Sequence, residues 1–244
     1  MIPKKIHYCW FGGKPLPKLA KKCISSWKKF LPDYEIIEWN EQNFNINCCD
    51  YVKEAYQTKK YAFVSDYVRL YVLVKYGGVY MDTDVEVMKP INEFLQLKAF
   101  SGFQGAESIP TGIMACEKGH ELFKEFLNEY NNIHFILKDN EYDLTTNVAR
   151  ITNTCKKYGL VVNNKHQTIK DFTLFPFDYF CPQRSDNSFK GRIITKNTYT
   201  IHHFEGSWLP YHKRIYRKIL ILFGSNYKYV QKIKNIFIKN KKEF

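Results

Sequence analysis

No stretch of this sequence approaches the roughly 18 consecutive apolar residues that a membrane-spanning helix needs. The longest apolar run toward the end covers only residues 219–223. Glycine and proline are sparse, at 12 and 9 residues, which excludes collagen-like and low-complexity chains. The seven cysteines are odd in number, and none stands in a CxxC or CxxH spacing. A disulfide framework or a zinc knuckle is therefore not expected, and a reducing cytosol is the simplest setting. The opening MIPKKIHYCWFGG has no apolar core of signal-peptide length, so it does not read as a secretory signal.

What is present is a globular composition. Of 244 residues, 45% are apolar and 17% aromatic, enough for one packed domain with or without a tail. The net charge of +13 is unevenly placed. Residues 211–244 hold ten Lys/Arg and one acid, a local charge of +9, while the body carries only +4. A uniformly basic nucleic-acid-binding fold would look different, and the basic segment lacks the RNP and helix-turn-helix patterns. Two regions are expected: a domain over 1–210 and a basic amphipathic C-terminal tail over 211–244. The tail mixes its cations with Ile215, Ile219, Leu222, Phe223, Ile233, Ile236 and Phe237. Such a stretch suits an anionic membrane surface; a solvated helix with a core-facing stripe is the plain alternative.

Residues 5–10 read as a buried strand stopped by Gly12-Gly13. Pro15 and Pro17 open an amphipathic helix, with Leu19, Cys23 and Trp27 at i, i+4, i+8. YEIIEW (34–39) is a second strand, and strand–helix–strand in 40 residues is the mark of a parallel sheet. A helix is expected over 61–76, ended by Gly77-Gly78, followed by a short strand at 79–81. Further helices are expected near 121–130 and 145–158. FPFDYFCP (175–182) looks irregular, and 198–204 reads as a late strand.

Four groups of residues suggest chemistry. In VYMDTDVEV (79–87), Asp82 and Asp84 lie one residue apart at the end of an apolar strand and point the same way. Paired carboxylates suit a hard divalent cation, and Mg²⁺ or Mn²⁺ held so usually shares a diphosphate. A surface turn with two acids is the bland alternative. In SDYVR (65–69), Asp66 and Arg69 share one helical face. They form either a surface ion pair worth under about 1 kcal/mol or a clamp for sugar hydroxyls and phosphate. In IHHFEGSW (201–208), His202 and His203 alternate faces, so only one can serve a given site as a further cation ligand. Trp10 ends the first strand, where parallel sheets bind ligands; it either stacks on a planar base or belongs to the core.

Together these pieces resemble glycosyltransferase family 32, the DXD-containing sugar-binding region proteins of bacterial capsule and polysaccharide clusters. That group is similar to yeast-type initiating mannosyltransferases and, more distantly, to the glucosyltransferase domains of clostridial toxins. IPKKIHYCWFGG (2–13), EIIEWN (35–40), AFVSDYVRLYVLVKYGGVYMDTD (62–84) and IHHFEGSW appear in the family's order over about 200 residues. The resemblance implies an α/β, GT-A type fold, a Rossmann-like and mostly parallel sheet with flanking helices. It implies metal-dependent, retaining transfer of a hexose from a nucleotide sugar, UDP-linked by preference, with Mn²⁺ or Mg²⁺ as cofactor. The acceptor would be a glycan or lipid-linked saccharide in surface polysaccharide synthesis. The place would be the cytoplasm, peripheral on the inner face of a bacterial membrane, with no nucleic-acid partner.

By the same resemblance, Trp10 stacks on the uracil, Cys9 offers backbone bonds and Asn40 lies near the ribose. Ser65, Asp66 and Arg69 hold the donor sugar and its phosphate. Asp82 meets ribose and metal, Asp84 ligates the metal, and His202 fits the C-terminal ligand better than His203. Ser207 and Trp208 close over the diphosphate. Asp66, Arg69, Asp82 and Asp84 make up the catalytic set. Two positions depart from the family's habit and bear on sugar choice. Tyr71 stands where Asp is frequent, and Pro110-Thr111-Gly112 replaces Asn-Thr-Gly. MDTDV also satisfies the first motif of haloacid-dehalogenase-type phosphatases, with Asp82 as nucleophile, but the later acidic pair of that class is missing from the sequence.

Overall fold

The computed structural model describes residues 1–104, 108–182 and 194–206. Ser207, Trp208 and the 211–244 tail lie outside the described residues. The first strand, β1 (Lys5–Cys9), leads into α1 (Lys18–Phe30) and returns as β2 (Glu35–Trp39), parallel to β1 in full register from Lys5↔Glu35 to Cys9↔Trp39. After α2 (Asp50–Gln57) and α3 (Tyr61–Tyr76), β3 (Gly78–Met81) joins the other side of β1, again parallel. β1 and β3 are buried almost throughout, as parallel strands covered on both faces are, whereas β2, at the sheet edge, is only half-buried.

The rest of the sheet is mixed. β5 (Ala99–Gly102) and β6 (Ile113–Cys116) are antiparallel, β8 (Phe172–Phe175) runs parallel to β5, and β7 (Gln167–Ile169) closes the edge. The order is β2-β1-β3-β6-β5-β8-β7. The pairings set five strands in one direction and only β6 and β7 against it. Helices cover both faces, so the α/β expectation of a mostly parallel sheet with flanking helices is met. One face packs on α2, α3, α4 (Glu121–Asn128) and α5 (Asn147–Lys157). The other packs on α1 and the 3₁₀ turn Asn92–Gln96. β4 (Val85–Val87) leaves the main sheet and pairs antiparallel with the late strand β9 (Thr200–His202).

The turn from α3 into β3 needs its two glycines. Gly77 has φ +67, and a Cβ there would lie 2.6 Å from the Lys118 backbone nitrogen; Gly78 has φ +110 with Lys5 O 2.8 Å from its would-be Cβ. His7 sits behind them in the core. It accepts from the Trp39 indole at Nδ1 (3.1 Å) and so donates from Nε2 to Gly77 O (2.9 Å), since an indole can only donate. Burial lowers its pKa from the ordinary value, which keeps it neutral.

Several segments depart from the sequence reading. FPFDYFCP is not irregular: it ends β8 and forms the short helix α6 (Phe177–Phe180) after Pro176. Its rings make a cluster, with Phe94 5.0 Å from Phe175 and 5.1 Å from Phe180. The helix α2 (Asp50–Gln57) lies where the sequence reading gave no element. The late strand ends at His202 rather than 204, because Phe204 has φ +51 and turns the chain.

Candidate active site

Asp82 and Asp84 lie in the short link between β3 and β4, at the carboxyl end of a central parallel strand. The Asp82 N–H bonds to Gly112 O (2.8 Å) and Val85 N–H to Asp82 O (2.9 Å), which turns both carboxylates toward one spot. The pairing Val85↔His202 then delivers the imidazole to the same spot. His202 Nε2 is 3.2 Å from Asp84 Oδ1 and 3.9 Å from Asp82 Oδ2. Among the described residues these three form the group whose ligand atoms all lie within 4.8 Å of one another. His203, the residue after the strand's end, continues the alternation and bonds Glu86 at 2.8 Å, with Lys22 on both Glu86 oxygens (2.8 and 2.9 Å). Strand alternation thus assigns His202 to the cluster.

Gly112 makes the approach possible. A Cβ at this position would stand 2.7 Å from His202 Cε1 and 3.3 Å from Asp82 Oδ2. The His202 ring is backed by Phe204, stacked at 4.0 Å. Burial works to lower the His202 pKa, but the Asp84 charge and hydrogen bond outweigh it and carry it up to about 10. Burial works to raise the Asp84 carboxyl; His202 and the Glu205 N–H (2.8 Å to Oδ2) overcome it and bring it down to about 2. Two hard carboxylate oxygens and one imidazole nitrogen, brought together beside Gly112, fit a divalent cation such as Mn²⁺ or Mg²⁺.

Arg69 lies behind the aspartates and is 5% exposed. Its fork is spent within the protein. Nε donates to Ser65 O (3.2 Å), Nη1 to Thr111 O (2.6 Å) and toward Asp82 Oδ1 (3.3 Å), and Nη2 meets Asp66 Oδ1 (3.1 Å). The guanidinium also lies 4.6 Å over the Tyr80 ring, whose hydroxyl donates to Asp82 Oδ1 (3.1 Å). This is no surface ion pair: removing one partner of such a buried pair costs about 3–5 kcal/mol. Asp66 is fixed from its other side by Asn147, which donates its N–H to Oδ2 (3.1 Å) and its amide to Asp66 O (2.9 Å). Burial raises the Asp66 pKa against the pull of Arg69 and Asn147.

The structure therefore brings Ser65, Asp66, Arg69, Asp82, Asp84 and His202 into one constellation. Cys9 joins it at the end of β1, where burial pushes its thiol up to about 12, so it stays neutral beside Arg69. Trp10 and Asn40 stand apart, at the carboxyl ends of β1 and β2. Trp10 is half-buried, its N–H on Trp39 O (2.9 Å) and its indole on the Lys14 carbonyl. The Asn40 amide bonds Glu38 (2.9 Å) and the Gln42 N–H (2.9 Å). Tyr71 faces away, edge-on to Phe44 at 5.4 Å. Sequence reasoning missed Tyr80, Asn147 and the spatial role of Gly112. Tyr80 was reachable, two residues before Asp82 along the same extended run; the other two arrive from distant segments.

Residues 17–101 match the family model described as the glycosyltransferase sugar-binding region containing the DXD motif. The match includes both the Asp66–Arg69 and Asp82–Asp84 pairs, and the resemblance read from the sequence is borne out. The chain is 29% identical over 126 residues to inositol phosphoceramide mannosyltransferase 3 of Schizosaccharomyces pombe, covering 49% of this chain and 34% of that protein. It is 24% identical over 224 residues to an uncharacterized glycosyltransferase of Acanthamoeba polyphaga mimivirus, covering 87% of this chain and 86% of the viral one. The chain thus spans about a third of the length of the fission-yeast relative. Among solved structures, PaToxG glycosyltransferase aligns with a TM-score of 0.48 at 20% identity, over 64% of this chain and 69% of that one.

Proposed function

We propose that this chain is a metal-dependent, retaining glycosyltransferase that moves a hexose from a nucleotide sugar to a glycan or lipid-linked saccharide. The observation that carries the reading is the convergence of Asp82, Asp84 and His202 at the end of the parallel half of the sheet. The match over residues 17–101 and the glycosyltransferase and mannosyltransferase names of the relatives support it.

When bound, a divalent cation neutralises the negative charge that grows on the leaving diphosphate as the glycosidic bond breaks. Asp82, Asp84 and His202 would hold it. Arg69 and Tyr80 keep Asp82 oriented, so the carboxylate does not have to reorganise during the reaction. Asp66, fixed by Arg69 and Asn147, is placed to accept hydrogen bonds from donor-sugar hydroxyls. The acceptor hydroxyl oxygen bonds the anomeric carbon as the diphosphate oxygen departs, and the hydroxyl proton passes to that oxygen. Ser207 and Trp208 are assigned to closing over the diphosphate, which excludes water and limits donor hydrolysis.

The donor we assign is UDP-linked, with Trp10 as platform for the base, Cys9 giving backbone bonds and Asn40 near the ribose. The 211–244 tail is assigned to the anionic inner face of a bacterial membrane, which brings the domain to a lipid-linked acceptor in surface polysaccharide synthesis. A panel of UDP- and GDP-sugars with Mn²⁺, scored for donor hydrolysis, tests the reading. UDP-hexose turnover that vanishes without metal and in Asp84→Asn supports it. Binding of no nucleoside diphosphate in the presence of manganese overturns it.

A further inference from the structure

Asp66 is held by a neighbour that is itself held. Asn147 is the first residue of α5, and its N–H is one of those at a helix start with no carbonyl partner in the helix. That N–H goes to Asp66 Oδ2 (3.1 Å), so α5 turns the positive end of its dipole on this carboxylate. The Asn147 side chain is fixed at both ends. Its amide nitrogen donates to Asp66 O (2.9 Å), and its Oδ1 accepts from the Tyr130 hydroxyl (3.3 Å). Both bonds require the same orientation of the amide, because the Asp66 carbonyl can only accept. Tyr130 is 1% exposed and is wedged edge-on against Tyr51 (4.8 Å) and Tyr67 (5.7 Å). The Arg150 guanidinium lies 5.1 Å over its ring, one turn along α5 from Asn147. Arg150 pairs in turn with Asp143, at 14% and 18% side-chain exposure, and Asp143 Oδ1 also takes the Thr145 N–H (3.0 Å).

We propose that Tyr130 and Arg150 are positioning residues for donor-sugar recognition, acting on Asp66 through Asn147. The proposal rests on the sugar-binding role given to Asp66 above. Arg69 meets one oxygen of that carboxylate and the Asn147 N–H the other, so the two together set its angle. Arg69 is anchored within α3 and at Thr111, whereas Asn147 is anchored by the string Asp143–Arg150–Tyr130. A carboxylate that accepts sugar hydroxyls in a fixed geometry depends on such supports, since misplacement by ~1 Å can cost about 10²-fold. Neither Tyr130 nor Arg150 has to touch the sugar.

The test is calorimetry on the full-length protein with Mn²⁺, comparing UDP-glucose and UDP-galactose with UDP, which carries no sugar for Asp66 to bind. Tyr130→Phe keeps the ring and removes one hydroxyl. Affinity for the UDP-hexose that the wild type binds is expected to fall about tenfold, with UDP affinity unchanged. Arg150→Gln should act in the same direction, and Arg150→Lys, which keeps a cation for the ring and for Asp143, should recover part of the loss. A second readout needs no donor. Hydrogen exchange of the Asn147 N–H, followed by NMR, should quicken about tenfold in Tyr130→Phe and Arg150→Gln, because that N–H leaves Asp66 more often. A pair that merely fastened the preceding loop to α5 would lower the thermal midpoint and leave both readouts unmoved. Unchanged exchange in both variants, or an equal loss of UDP and UDP-hexose affinity, overturns the proposal. Wild-type protein that binds neither nucleotide fails the glycosyltransferase reading instead, and exchange at Asn147 still decides whether the string holds Asp66.

Discussion

Gly112 sets how closely the imidazole and the carboxylates approach one another. In Gly112→Ala the new methyl displaces the His202 ring, 2.7 Å away, before it disturbs any core residue. Calorimetric Mn²⁺ affinity is expected to fall at least about tenfold, as it does when the surroundings of a ligating histidine are altered, with the thermal midpoint moved by little. The pair His202–Asp84 makes a second expectation. With a pKa near 10, His202 carries a proton at neutral pH when no cation is present. A metal must displace it, so binding at pH 7 releases close to one proton per cation and tightens as pH rises toward 10. Titration in buffers of different ionisation enthalpy reads that proton directly. Arg69 acts through Asp82 and Asp66 and is a positioning residue. Arg69→Lys keeps the charge but loses the fork, and donor turnover is expected to drop by at least about a hundredfold, within the ~10²–10³ seen when an oriented electrostatic partner is lost.

At the level of elements, the α3–β3 turn and the β1 strand behind it form one packed unit around His7. In Gly77→Ala the Cβ meets a backbone nitrogen 2.6 Å away. Backbone at that φ costs a substituted residue about 1–3 kcal/mol, and urea unfolding is expected to show a loss at or above that range. His7 adds a pH dependence. Its folded pKa lies below the unfolded ~6.5, so its stabilising contribution is whole above ~6.5 and is lost as pH falls through the lowered folded value. The stability difference between wild type and His7→Gln should shrink between pH 7 and pH 5. The elements that carry the site were legible because each motif is local: Asp66 and Arg69 sit one turn apart on α3, and Asp82 and Asp84 share one link. Gly112 and Asn147 were not, since a close approach and a cap on Asp66 exist only after β6 and α5 return to the same place. The helix α2 starts among Asn and Cys residues that favour turns, and β5 through β8 are three or four residues each, too short to show a period.

For the whole molecule, charge and sheet topology divide the labour. The +9 of residues 211–244 against +4 elsewhere concentrates any membrane attraction at one end of the sequence. At about 1 kcal/mol per cation near anionic headgroups, full-length protein should sediment with anionic liposomes in low salt and release in 0.5 M salt, at roughly half the usual Debye length. A chain ending at 210 should stay in the supernatant. The short ladder between β4 and β9 has a consequence for manufacture. Translation delivers Asp82 and Asp84 long before His202, so a nascent chain whose β9 still lies in the ribosomal tunnel already holds the seven strands of the main sheet but only an open, two-legged cation seat. Competence is thereby deferred until nearly all of the domain has been made.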